Sequence, residues 1–516
     1  MKKLLIGMLF ITGLLCSCNE KHANMSVTLE SFSELCDPTY TISPELLNDN
    51  ILRLVMRDRG NGAADIHARR HYMDNKGLVW VTRDGVSSKA DTLLAFLADL
   101  DTIGLSREKF LYTSINNDLK RVRDIDFAKD KESPYNINKV YARLEFNLTK
   151  AFLRYTEGQR FGFVNPYNAF NRLDVRDSDS VRVSYRSLYG APTRLPDKKF
   201  VETAFKVMAE DGQSVGNFLR ASQPENPLYA YFVEKLRYVR TIGERRLLLC
   251  NIERSRWGNG DYPQKHSKYL VVNIPSLHLF AKNGDEYLVM RVGLGSLETK
   301  TPILSSVVKR MDFNPQWIIP KSIVKKSVCQ HAGSIGYFES HNYFVRERST
   351  GKTVAPEKTT ADMLMSSNYS VVQRGGEGNA LGRVIFRFDN DYSIFLHDTS
   401  NPGVFTRNDR SVSHGCVRVE KPYELAVFML AEKDEDIMGK IRYSMTTKYR
   451  EGASADYEAE AIDKSKMLRS LKVEPKVPIY ITYYTLYPDR NGNLMHYSDI
   501  YGYDAVIYRL LQPYLE

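Results

Sequence analysis

The chain has 516 residues, 43% hydrophobic and 26% charged, with a formal net charge of +10. This composition excludes a collagen-like, coiled-coil or wholly disordered chain, and the length suggests two to four domains. The basic residues are scattered and no nucleic-acid motif accompanies them, so they argue against a nucleic-acid partner while suiting some anionic partner or surface.

Met1-Lys2-Lys3 is a short positive start, followed by the apolar run Leu4 to Leu15. The run is short for a bilayer span and right for the core of an export signal. Ser17 then precedes Cys18, an arrangement that resembles a bacterial lipobox. It implies a lipoprotein signal over 1–17, cleavage before Cys18 and lipidation of its sulfur, which anchors the protein to a membrane without a spanning helix. Cys16 fits less well because Leu15 is not small. Residues 18–27 are polar and read as a tether.

From 28 to 262 the patterns are mainly helical and predict a scaffold domain. Asp91 reads as an N-cap ahead of an apolar face at Leu93, Leu94, Leu97 and Leu100. Leu144, Leu148, Ala151 and Tyr155 form a second face, and Tyr229 to Trp257 reads as another helical stretch. The texture changes after Pro263. Tyr269 to Ile274, 277–281 and Glu286 to Val292 are β-prone, and Asn283-Gly284 between the last two is a hairpin signal. Further strands are expected at 383–388 and 393–397, a helix from Pro422 to Glu432, and a strand over Ile479 to Leu486 followed by a turn at Asn491-Gly492. The fold class expected is α+β: a helical N-terminal part, a β-dominated part at 263–445, and a C-terminal segment at 446–516 returning to the scaffold.

Of six cysteines, at 16, 18, 36, 250, 329 and 416, none forms a C-x-x-C pair, so neither a disulfide framework nor a zinc ribbon is indicated. Cys416 is the informative one, within Ser413-His414-Gly415-Cys416-Val417-Arg418. A thiol becomes a nucleophile when a base, usually histidine, takes its proton. His414 is two residues away and would share its face in an extended segment. His397 ends "SIFLH", with fifteen residues between it and Ser413. Gly415 allows close backbone approach, N–H groups around it suit an oxyanion hole, and Arg418 suits a carboxylate. On these residues alone a cysteine simply packed on a strand stays open.

The pattern "H-(15 residues)-SHGC" resembles the signature of the L,D-transpeptidases of the YkuD family. "VVNIPSLHLF" (271–280), "TPILSS" (301–306), "NPQWIIP" (314–320), "GNALGRVIFRF" (378–388), "FLHDTS" (395–400), "LEFNLTKAFLRY" (144–155) and "YITYYTLYPDRNGNLMHYSDIYGYD" (480–504) are similar to the larger YcbB-type members. The resemblance covers about 45 to 510. It implies a YkuD-like catalytic domain carrying a lid at about 321–377. Cys416 corresponds to the nucleophile and His397 to the histidine that takes and returns its proton. Ser413, His414, Gly415 and Arg418 occupy the surrounding motif as oxyanion or substrate-binding residues, and Asp398 either orients the site or caps a turn. The activity implied is 3–3 cross-linking of peptidoglycan stem peptides, with D-alanine released, on the periplasmic face of the cell envelope. No metal or organic cofactor is implied, and carbapenems are implied inhibitors. A hydrolase using the same pair (an L,D-carboxypeptidase or endopeptidase), attachment or release of a protein on the wall, and a non-catalytic wall-binding lipoprotein are the alternatives.

The chain departs from the family pattern in three places. Arg418 stands where Asn is common, although the YcbB-type variant often has Arg. Phe395 stands where Tyr is frequent. The helical run "PLYAYFVEKLRYVRTIGERR" leads directly into "LLLCNIERSRW", leaving no room for the peptidoglycan-binding insert of many relatives. Other signals are discounted. Gly351-Lys352-Thr353 lacks the glycine a P-loop needs at 346. "RGGEGNALG" (374–382) reads as a turn before a strand. Cys329, His331 and His341 lack paired metal spacing, Cys250 reads as core, and Cys36 carries no reading.

Overall fold

The computed structural model describes residues 38–515, apart from 83–84, 87, 176–182 and 453–461. The lipobox with Cys16 and Cys18, the tether and Cys36 lie outside the described residues. Among the described residues, no helix is long and apolar enough to cross a membrane.

The N-terminal half is built on one long helix, Ile137–Phe161, which is buried on nearly every face. A helix buried on so many faces needs neighbours all round, and Pro44–Arg57 and Ala63–Met73 both pack along it. Pro44–Arg57 presents Leu47, Ile51 and Val55, and is capped by the Ser43 hydroxyl, which accepts the Leu46 N–H. Inside the long helix, the fully buried Glu145 carboxylate accepts the N–H groups of Val79, Trp80 and Val81 at 2.7, 3.0 and 2.8 Å. The acid thus replaces a strand partner for that short segment. Two expectations need correction here. Asp91 lies inside the first turn of Lys89–Ala98, where it pairs with Arg123; Ser88 is the N-cap residue. The stretch 229–257 is two helices, Pro227–Leu236 and Ile242–Arg256, separated by 237–241, because the Thr241 hydroxyl caps a new start on the Glu244 N–H.

The β-rich half begins at Lys268. Its strand pairings run full circle. Lys268–Asn273 pairs with His278–Asn283, which pairs with Glu286–Gly295 across the Gly284 turn. The circuit continues through Val417–Val419, Leu396–His397, Val384–Phe388, Leu304–Phe313 and Ser470–Thr482 back to Lys268–Asn273. Closure of this kind leaves few free edges. The strand at 393–397 is shorter than expected, only Leu396–His397, because Ser393 adopts φ 55° and turns the chain before it. The helix from Pro422 ends at Met429, and the strand expected from 479 starts earlier, at Ser470, and stops at Thr482.

A second, four-stranded sheet is inserted between Leu304–Phe313 and Val384–Phe388. It comprises Trp317–Ile318, Tyr369–Gln373, Tyr343–Glu347 and Thr353–Val354, in that spatial order. It has its own core of Ile319, Val324, Val328, Phe338, Val345, Leu364 and Val371. Glu451 ties its two connections together, accepting from the Gln316 amide at 2.8 Å and the Gly375 N–H at 3.0 Å. The C-terminal chain locks scaffold to sheet: Arg254 pairs with Asp504 at 2.5 Å, Thr485 donates to Asp504 at 2.8 Å, and Asn251 donates to Thr485 at 2.9 Å.

Candidate active site

The segment around Cys416 is shaped by three neighbours. Ser411–Ser413 runs parallel to the end of Glu286–Gly295. The chain bends at 414–415 and re-enters as Val417–Val419, antiparallel to the same strand, with Arg418 opposite Gly293. On its other side Val417–Val419 runs parallel to Leu396–His397, with Leu396 opposite Val417 and His397 opposite Arg418. Register partners share a face, as do residues two apart on a strand. Cys416 at the head of one strand, Arg418 within it and His397 at the end of the next therefore face the same way.

Gly415 has φ 113°, and a Cβ there would lie 2.9 Å from Ile394 Cδ1, so glycine is required at the bend. The bend also breaks the alternation expected to align His414 with Cys416. His414 is largely exposed at the rim, and partial desolvation of its ring, with the positive charges of Lys326 and Arg418, pushes its pKa down.

Nδ1 of the buried His397 lies 2.5 Å from the Asp398 carbonyl oxygen, which only accepts. Nδ1 therefore carries the proton, and Nε2 keeps the lone pair. Burial, with the Arg418 charge, brings the His397 pKa down to about 4 against the opposing carbonyls of Asp398 and Leu381. The Cys416 thiol is partly exposed, with Sγ 3.8 Å from the Ser393 carbonyl. Its crowded surroundings push its pKa up, while the Phe395 N–H and the Arg418 charge act in the opposite direction. The two shifts, on groups that share a face, favour the neutral thiol and the neutral imidazole.

Ser413 and Asp398 are held by hydrogen bonds within the protein. The Ser413 hydroxyl donates to the Cys416 carbonyl at 2.6 Å and accepts the Gly415 N–H at 3.0 Å. It braces the bend, and it removes the Gly415 N–H from any oxyanion hole. The Asp398 carboxylate accepts the N–H groups of Arg383 and Thr399 at 2.8 and 2.7 Å, so the side chain caps a turn while only its carbonyl touches His397. Arg418 is half-buried, and its Nε has no hydrogen-bond partner.

The sequence reading missed Thr301. It is fully buried, accepts the Gly295 N–H at 2.9 Å and donates to the Gly415 carbonyl at 2.9 Å. Tyr501 was missed as well, and donates to the Gly295 carbonyl at 2.7 Å. Both stand inside quoted stretches, "TPILSS" and the run to 504, but nothing local marks them as neighbours of Cys416.

Among the described residues no group of three or more His, Cys, Asp or Glu is placed to hold a metal. Cys250 is core, its thiol buried at 3.4 Å from the Asp504 carbonyl and its pKa pushed up to about 12. A cavity of about 110 Å³ between scaffold and sheet is lined by aromatics such as Tyr189, Trp257 and Tyr480, and neither Cys416, His397 nor Arg418 borders it. Arg254 does, but its unpartnered nitrogens have no exposed surface with which to meet an occupant.

The fold and site define an α+β protein whose sheet-rich half carries a cysteine and a histidine on adjoining parallel strands. Residues 267–471 match the family model of the L,D-transpeptidase catalytic domain (YkuD), and residues 67–236 match that of the Scaffold domain. The chain thus carries a YkuD L,D-transpeptidase catalytic domain together with a Scaffold domain. It is similar to a Haemophilus influenzae protein named "Putative L,D-transpeptidase", at 28% identity over 306 residues, 58% of this chain. The match spans 57% of that relative's length.

Proposed function

We propose that this chain is a peptidoglycan L,D-transpeptidase acting through a Cys416 acyl-enzyme. The observation that carries this is the parallel register that sets His397 opposite Arg418 on the face Cys416 shares. Nε2 of His397 takes the thiol proton as Sγ attacks the carbonyl between the third and fourth residues of a tetrapeptide stem. The tetrahedral oxyanion forms beside the Cys416 N–H, a donor of a kind worth about 3 kcal/mol. The imidazolium returns its proton to the amine of D-alanine, which leaves. The side-chain amine of a second stem then attacks the thioester, loses a proton to His397 and completes a 3–3 link, freeing the thiol.

The half-buried Arg418, on the face shared with Cys416 and His397, suits a stem carboxylate. The inserted sheet acts as a lid, a role supported by the influence of its Lys326 on His414. Lipid on Cys18 holds the protein at the cell envelope, and carbapenems acylate Cys416.

Incubating the soluble form, starting after Cys18, with disaccharide-tetrapeptide and following products by mass tests this directly. A dimer lacking one D-alanine, absent with Cys416→Ala, is the expected result. Tripeptide monomer alone means water replaces the acceptor amine and the chain is an L,D-carboxypeptidase. No product and no carbapenem adduct would leave a wall-binding lipoprotein.

A further inference from the structure

The bend at 414–416 leaves the main-chain N–H groups of His414 and Cys416 unused among the described residues, and that of Cys416 adjoins the thiol. Gly415 N–H is taken by Ser413, and among the described residues neither a main-chain nor a side-chain acceptor meets the N–H of Cys416. The Gly415–Cys416 peptide is trans, so its C=O and N–H point in opposite directions. Whatever fixes the carbonyl aims the N–H. The carbonyl is fixed by Thr301 Oγ1 at 2.9 Å.

Thr301 has little freedom of its own. Its hydroxyl accepts from Gly295 N–H, which leaves its proton for Gly415. Its main-chain N–H donates to Tyr501 Oη at 3.1 Å, and Tyr501 donates onward to the Gly295 carbonyl at 2.7 Å. Tyr501 is anchored in turn by its own N–H on Tyr483 Oη at 2.8 Å, while Tyr483 donates to Asp499 at 2.5 Å. The approach depends on Gly295, where a Cβ would sit 2.0 Å from the Thr299 carbonyl oxygen. Tyr501 lies beyond residue 471, where the match to the catalytic domain ends.

We propose that Thr301 and Tyr501 are positioning residues that orient the Gly415–Cys416 peptide, so that the Cys416 N–H faces the oxygen of the carbonyl that the thiol attacks. The C-terminal segment thereby completes the oxyanion site from outside the matched domain. The inference rests on Cys416 being an acylated nucleophile, but not on the identity of the acyl donor.

Two reagents separate this role from mere support of the fold. Acylation of the full chain by p-nitrophenyl acetate passes through a tetrahedral oxyanion, with nitrophenolate leaving; alkylation by iodoacetamide forms none. Thr301→Val keeps the shape and removes the hydroxyl. It is expected to slow acylation by about tenfold or more, with alkylation within about twofold of wild type. Thr301→Ser is expected to restore acylation, and Tyr501→Phe to slow it severalfold with alkylation unchanged. Unchanged acylation in Thr301→Val overturns the inference. So does a parallel loss of acylation and alkylation, which would mean the bend has collapsed. Wild-type protein that is acylated by the ester but does not process a stem peptide would sink the peptidoglycan reading and leave this one standing.

Discussion

His397 and Arg418 are register partners across two parallel strands, and the cation sits on the same face as the imidazole and the thiol. This places a fixed positive charge where it opposes a second one. Arg418 and burial together keep His397 neutral, and the same charge favours a thiolate at Cys416 against the desolvation that opposes it. The shifts thus favour thiol and imidazole at rest, and in the proposed mechanism proton transfer accompanies attack.

That resting state has a kinetic signature. With the thiol pKa above its ordinary value near 9, the thiolate fraction keeps rising through pH 9. Alkylation of Cys416 by iodoacetamide should climb from pH 6 to 9 without levelling off. A plateau through neutrality would indicate a preformed thiolate–imidazolium pair and contradict the assignment.

Acid should weaken the fold through the same histidine. Its folded-state pKa of about 4 lies below the ordinary 6.5. Between those values the unfolded chain binds a proton that the native state refuses, so stability falls as pH drops from 6.5 toward 4, by at most ~3 kcal/mol from this residue. Urea midpoints at pH 7 and 4.5 measure it. His397→Gln should lose less stability over that interval than wild type; an equal loss would show that the buried ring does not resist protonation.

Glycines in two settings make opposite predictions. Gly415→Ala forces a Cβ into φ 113° and to 2.9 Å from Ile394 Cδ1. It should cost about 1–3 kcal/mol and abolish acyl transfer. Gly439 lies inside Glu435–Thr446 with nothing near its would-be Cβ. Gly439→Ala should raise stability by about 0.5–1 kcal/mol and leave activity alone. Thermal unfolding of both variants checks the contrast.

The legible parts of the sequence were those governed by local rules. Asn283-Gly284 announced its hairpin because the turn needs a residue that tolerates positive φ, and Gly284 adopts φ 57°. Cys416 and His397 were legible as a pair through a spacing that resembles a family, not through any contact that composition fixes. What failed was non-local. Ser413 reads as a free hydroxyl until the bend folds it onto the Cys416 carbonyl, and Thr301 lies more than a hundred residues from the carbonyl it holds. The break at 237–241 is a different case, since Thr241-Ile242-Gly243-Glu244 is a local capping signal that was overlooked inside a helical stretch. Asp91 was misread for a related reason: one acidic residue suits both the cap and the first turn.

Arg418 offers the sharpest separation of charge from shape. Arg418→Met keeps much of the aliphatic stem that packs near Gly293 but removes the cation. Without it the Cys416 pKa rises, since the charge was holding it down, and the His397 pKa rises too, since the charge was opposing protonation. Alkylation at pH 7 should therefore slow severalfold. Arg418→Lys returns the charge and should recover alkylation. A lysine ammonium lacks the planar fork that grips a carboxylate through two bonds. Arg418→Lys should then keep a raised KM for a stem peptide ending in a free carboxylate, with a smaller change for the amide-blocked peptide. Wild-type alkylation in Arg418→Met would remove the electrostatic role. An unchanged KM in Arg418→Lys would remove the carboxylate contact, so the two functions assigned to this one side chain can fail separately.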